Sequence, residues 1–140
     1  MKVEIGPYVD NEQDERVMSV SLDDYDMWNL DHTLALIILP ALKTYKEENY
    51  GIPWIDNEDV PEELRTTPDG DEISNDHHYT VEKHHYVLDE MIFAFSAHVD
   101  DDCDKQFWEN GYDREGDLAF WARVDNGMRL FGKYYRTLWS

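Results

Sequence analysis

Apolar and polar residues alternate at two places near the N-terminus. Val3 and Ile5, then Met18, Val20 and Leu22, take every second position, the period of a strand with one sheltered face. Gly6, Pro7 and an acidic run to Glu15 connect them, which predicts a short β-hairpin. Two strands alone are marginal in water, so the hairpin needs a surface to lie on, and the helices downstream are the candidates. Leu30, Leu34, Ile37, Ile38, Ala41, Leu42 and Tyr45 then recur with helical spacing and make one broad apolar stripe. Asn29 or Asp31 can cap the start of this first helix and Gly51 can end it. Pro40 lacks a donor and crowds the carbonyl of Leu36, so the helix should be kinked or split there.

A second helix is expected from about Thr80 to Val99, with Val81, Leu88, Ile92, Phe95 and Val99 on its buried face. A third, about Asp117 to Trp139, carries Trp121, Val124, Met128, Phe131, Tyr135 and Leu138 in alternating steps of three and four, a packing seam of the kind bundles use. Arg129, Lys133 and Arg136 fall on the other side of that seam. Acidic connections, about 56–76 and 100–116, separate the helices, and Pro61, Pro68 and Gly70 mark the first of them as loop. The expected fold is mainly α (α+β): a compact bundle of about three long helices, the first kinked at Pro40, with a small N-terminal β-hairpin. All of it reads as one domain, residues 1–140.

Composition sharpens this picture. The 19 aromatic residues (5 Trp, 9 Tyr, 5 Phe) can fill a core despite the charge. A formal net charge of −20 repels phosphate backbones and anionic headgroups, so the expected partner is a basic protein rather than nucleic acid or a membrane. Protonating all six histidines would bring that charge to −14, so an electrostatic complex should respond to pH near 6.5. The lone Cys103 excludes an intrachain disulfide and suits a reducing compartment. With no apolar leader and no long apolar run, a cytoplasmic location is the expectation.

Candidate chemistry is sparse. His78, Glu82, His85 and Asp89 fall within one helical stripe, and imidazole with carboxylate suits a divalent transition metal. A site using His78, His85 and Asp89, with Asp31 and His32 added, stands beside the plainer reading of boundary histidines whose proton affinity nearby carboxylates raise. Asp100, Asp102 and Asp104 imitate the opening of a calcium loop, but Lys105 and Gly111 occupy the positions of its turn glycine and bidentate glutamate. Asp residues around Cys103 oppose a thiolate nucleophile. No phosphate loop, nucleophile elbow or other cofactor motif occurs.

The stretches WNLDHTLALIILPALK (28–43), GIPWIDNEDVPEEL (51–64), VLDEMIFAF (87–95) and RLFGKYYRTLW (129–139) together resemble a family of small proteins encoded by tailed bacteriophages, phages of marine bacteria among them. The resemblance implies a small protein made in the cytoplasm of an infected bacterial cell and carries no catalytic residues across. On this basis the leading expectation is a non-enzymatic inhibitor or adaptor that holds a basic host or phage protein. Its contacts would be Trp54, Asp56, Glu58, Asp59, Glu62 and Glu63 in one segment and Asp100, Asp101, Asp102 and Asp104 in the other. One alternative is a metal-dependent, hydrolase-like enzyme on the His/Asp stripe. Another is a virion or assembly component joined through Arg129, Lys133 and Arg136.

Overall fold

The computed structural model describes residues 1–48, 51–66 and 80–139. Its elements are β1 (Lys2–Ile5), β2 (Met18–Ser21), α1 (Asp24–Trp28), α2 (Leu30–Glu48), α3 (Val81–Val99) and α4 (Arg114–Tyr134), with short 3-10 turns at Asn57–Asp59, Glu62–Leu64, Lys105–Phe107 and Tyr135–Thr137. The chain is mainly α with a small two-stranded sheet, the class its periodicity predicts. It divides into two units, Met1–Leu34 and Ala35–Ser140.

In the first unit β1 and β2 pair antiparallel, with Val3 opposite Val20 and Ile5 opposite Met18. The short α1 was not foreseen. It is held by a capping box in which Asp23 Oδ1 accepts from the Asp26 amide and Asp26 Oδ2 accepts from the Asp23 amide, both at 3.0 Å. Asp at both positions hid this signal among the general acidity.

In the second unit α3 is the central element. Lys83, His84, Val87, Leu88, Glu90, Met91, Ala94, Phe95 and Ala97 are all buried along it, on more than one face. Thr80 caps its start by accepting from the Lys83 amide. α4 starts under Asp113, whose carboxylate accepts from the Gly116 amide. The two helices cross closely because Gly127 has no side chain. A Cβ there would lie 2.3 Å from the carbonyl oxygen of Glu90 and 2.6 Å from the Cβ of Ala94. Edge-to-face pairs Phe93–Phe120 and Phe95–Phe131 pack on either side, and Arg123 clamps Glu90 with two bonds of 3.0 and 2.9 Å while its guanidinium lies 3.7 Å over the Phe93 ring.

The deepest line of α4 is Val124, Gly127, Leu130 and Tyr134, which shares only Val124 with the expected seam, and Tyr135 is 62% exposed. The aromatic stripe that the periodicity selected flanks the true contact, since Gly127 and Tyr134 carry no strong hydropathy signal. α2 shows a similar rotation. Ala35 and Leu42 are buried while Leu34 and Ile37 are exposed, because LALIILPAL is apolar nearly all round and its period fixes no orientation. The helix also runs through Pro40 without a break. Pro40 and Leu36 both face solvent, where water can take the carbonyl that proline leaves without a donor.

The segment around the first 3-10 turn completes the core by inserting Ile55, fully buried, before the turn and Val60 after it, beside Leu88, Met91 and Leu130. Burying one such aliphatic side chain contributes about 1.5–3 kcal/mol. Gly127→Ala should destabilise the chain by about 1–3 kcal/mol in urea unfolding, the usual effect of overpacking. Gly132→Ala, whose Cβ meets nothing among the described residues within 4 Å, should instead stabilise by about 0.5–1 kcal/mol through helix propensity. Equal effects at the two positions would refute the close crossing.

Candidate functional site

Segment 54–60 folds back onto α4 by its acids. Trp54 Nε1 donates to Asp56 Oδ1 at 2.9 Å, and the Asp56 amide donates to the Tyr134 hydroxyl at 3.0 Å. Asp59 is the centre. Its side chain is 1% exposed and accepts from Lys133 Nζ at 2.6 Å, Arg129 at 2.7 Å and the Tyr134 hydroxyl at 2.5 Å. Lys133 also reaches Asp56 at 2.7 Å and Glu58 at 3.1 Å.

Burial alone would raise the Asp59 pKa, but the hydrogen bonds from Lys133, Tyr134 and Arg129 outweigh it and hold the carboxyl below its ordinary range. Burial likewise opposes the Lys133 charge, and its three carboxylates overcome this to keep the ammonium far above the usual lysine range. Burial and the Asp59 bond push the Tyr134 hydroxyl up to about 12.

Asp56, Glu58 and Asp59 offer three oxygens mutually within 4.8 Å, the one such group of three His, Cys, Asp or Glu donors among the described residues. The spacing would suit a divalent cation. The Lys133 ammonium bonds all three carboxylates, so a metal would have to displace it. Of the other expected contact acids in this segment, Glu62 and Glu63 are exposed.

Among the described residues, His85 and Asp89 belong to no group of three metal donors. His78 lies outside the described residues. Asp89 is 52% exposed at its side chain and pairs with Lys46 at 2.5 Å. His85 Nε2 is buried with no hydrogen-bond partner among the described residues. His84 is 2% exposed with both ring nitrogens in the same condition, edge-on to Tyr45 at 5.9 Å. Burial, reinforced by His85, pushes its pKa down to about 4, so the expectation that all six histidines titrate near 6.5 fails at this position.

The other acidic segment, 100–113, is an ordered loop. Asp100 Oδ1 accepts from the Asp102 amide, Asp102 pairs with Lys105 at 2.6 Å, and buried Phe107 packs on Phe120. Gly111 turns the chain at φ +91°, a conformation that disfavours any side chain. The Asp113 amide then donates to the Phe107 carbonyl at 2.7 Å. This frame projects Trp108, 60% exposed, stacked on Tyr112 at 4.2 Å between ring centroids, and the Tyr112 hydroxyl donates to Asp117 at 2.6 Å. Asp100, Asp101, Asp102 and Glu109 of the same loop are exposed, and Asp104 is half-buried. Cys103 is half-buried at the base of the loop, its thiol pKa raised by burial and then by Asp104 and Asp100.

Several consequential residues escaped sequence reasoning. Lys83 is fully buried and donates to Asn57 Oδ1 at 2.8 Å. Asn57 in turn binds both the amide and the carbonyl of Thr66, closing the loop 57–66. The signal was present in the helical period, since Lys83, Val87 and Met91 share one face of α3. No family model, curated protein or solved structure matches the chain.

Asp59→Ala should lower stability by about 2 kcal/mol, less than the 3–5 kcal/mol of a fully buried pair because Lys133 and Arg129 can turn to water. An unchanged urea midpoint would show that the network does not hold the segment. His84 gives a pH window. Its folded pKa of about 4 lies below the unfolded value of 6.5, so its contribution is complete above pH 6.5 and is lost as pH falls toward 4. The loss should reach roughly 3 kcal/mol, and His84→Phe should flatten the stability profile in that window. The same fall in the variant would assign it elsewhere.

Proposed function

We propose that this chain is a non-enzymatic acidic adaptor or inhibitor that occupies a basic protein of the host or phage, with the loop 100–113 as its contact. The observation that carries this reading is the exposed Trp108–Tyr112 stack on a loop that also bears exposed carboxylates. A stacked aromatic face attracts the guanidinium or ammonium of a docked Arg or Lys, and carboxylates around it steer and retain the same charge. Solvent-exposed Trp and Tyr on an ordered frame lose little freedom on binding. The loop has these properties without needing to refold.

The expected segment 54–63 supports the reading less directly. Asp56, Glu58 and Asp59 are engaged with Lys133 of α4, which leaves Glu62 and Glu63 to contribute to the negative field. The cationic side of α4, considered above for a virion or assembly contact, is similarly engaged at Arg129 and Lys133.

Binding of an Arg/Lys-rich peptide, followed by calorimetry, should weaken steeply as salt rises from about 50 to about 500 mM. Trp108→Ala should weaken it about tenfold, the equivalent of one cation–π contact, with thermal unfolding unchanged. Affinity that is flat in salt, or indifferent to Trp108, would overturn the reading.

A further inference from the structure

The N-terminal unit carries an apolar surface that it leaves open. Residues paired across antiparallel strands share a face, and neighbours along a strand alternate. The register therefore gathers Lys2, Glu4, Ser19 and Ser21 on one side of the hairpin and Val3, Ile5, Met18 and Val20 on the other. Leu22 extends the apolar side. Its members are far from buried: Val3 36%, Ile5 55%, Met18 74%, Val20 64% and Leu22 46% exposed. All eight strand residues are exposed, and among the described residues the sheet has two strands, so each has an outer edge. A ribbon of this length is marginal without a cover, and a contiguous apolar patch on a charged protein marks a binding surface.

The charges around the patch select among covers. Asp10, Glu12, Asp14 and Glu15 stand at the connecting end of the hairpin, and Asp23 and Asp24 at the other. Residues 1–34 hold nine acids against Lys2, Arg16 and the Met1 ammonium, which pairs with Asp26 at 2.5 Å. Lys2 belongs to the polar face, and Arg16 Nε is spent on the Gly6 carbonyl at 2.6 Å. A second copy of the chain would bring the same acidic excess against itself. A cover with an apolar middle and basic ends would meet opposite charge at both ends.

We propose that the Val3, Ile5, Met18 and Val20 face is a docking surface for an extended apolar segment, flanked by Lys or Arg, of a partner protein. The outer edge of either strand supplies main-chain donors and acceptors for such a segment, and the apolar face takes its inward side chains. The segment it would take shares the cationic character of the partner proposed above, but the surface uses none of the loop's contact residues, so it stands without the Trp108 loop.

The test uses the full chain with a photoreactive side chain at Met18, offered two synthetic peptides, KKVTVTVKK and EEVTVTVEE. The basic peptide should crosslink at position 18 and the acidic one should not. Val20→Lys should reduce the affinity about tenfold, the loss equivalent to one buried valine, and Trp108→Ala should leave it unchanged. Met18→Gln, probed by calorimetry, repeats the comparison should Val20→Lys disturb the hairpin in circular dichroism. Equal capture of both peptides, capture of neither, or crosslinks only to a second copy or within the chain would each overturn the proposal. So would capture that Trp108→Ala abolishes and Val20→Lys spares, which would assign the peptide to the loop alone.

Discussion

One buried carboxylate organises the larger unit. Asp59 receives an ammonium, a guanidinium and a phenolic hydroxyl, all from α4. A carboxylate so enclosed is tolerable because these donors compensate it, and removing Lys133 or Arg129 takes away part of that compensation. The network sets where the 3-10 turn sits, and the turn in turn directs Ile55 and Val60 into the core. Polar geometry thus decides which apolar residues are buried.

This arrangement also shows how a chain of charge −20 uses its 12 basic residues. Arg123 clamps Glu90, Arg129 and Lys133 hold Asp59, Lys46 meets Asp89, and Lys83 is enclosed against Asn57. These cations join elements distant in sequence. Negative charge is thereby neutralised where segments must be held and left in place on the loop surfaces. The field of the molecule follows from where its few bases went.

The helices and hairpin were legible because their periods are strong, and the spans of α3 and of both strands came close to expectation. Orientation was less legible. In α2 nearly every position is apolar, and in α4 the decisive contact is a glycine, a residue whose value lies in what it lacks. Acidic segments read as uniform loops, yet Asp59 is buried and Asp101 is exposed. Sequence distance hides this difference, since the partners of Asp59 lie 70 to 75 positions away. The exposed Trp108–Tyr112 pair carried no signal either, because aromatic residues ordinarily predict a core.

Tyr45 reaches far along the chain, its single hydroxyl hydrogen shared between the carbonyls of Thr137 and Trp139, each at 3.3 Å, across 92 and 94 positions. Closing a span of that length costs roughly 1.5–2 kcal/mol more chain entropy than closing the turn between α3 and α4. On that ground the antiparallel pair α3–α4 is the natural folding nucleus, and α2 with its tyrosine latch is the late-arriving, first-departing piece. The contact made by α2 would then be shorter-lived than the one between α3 and α4.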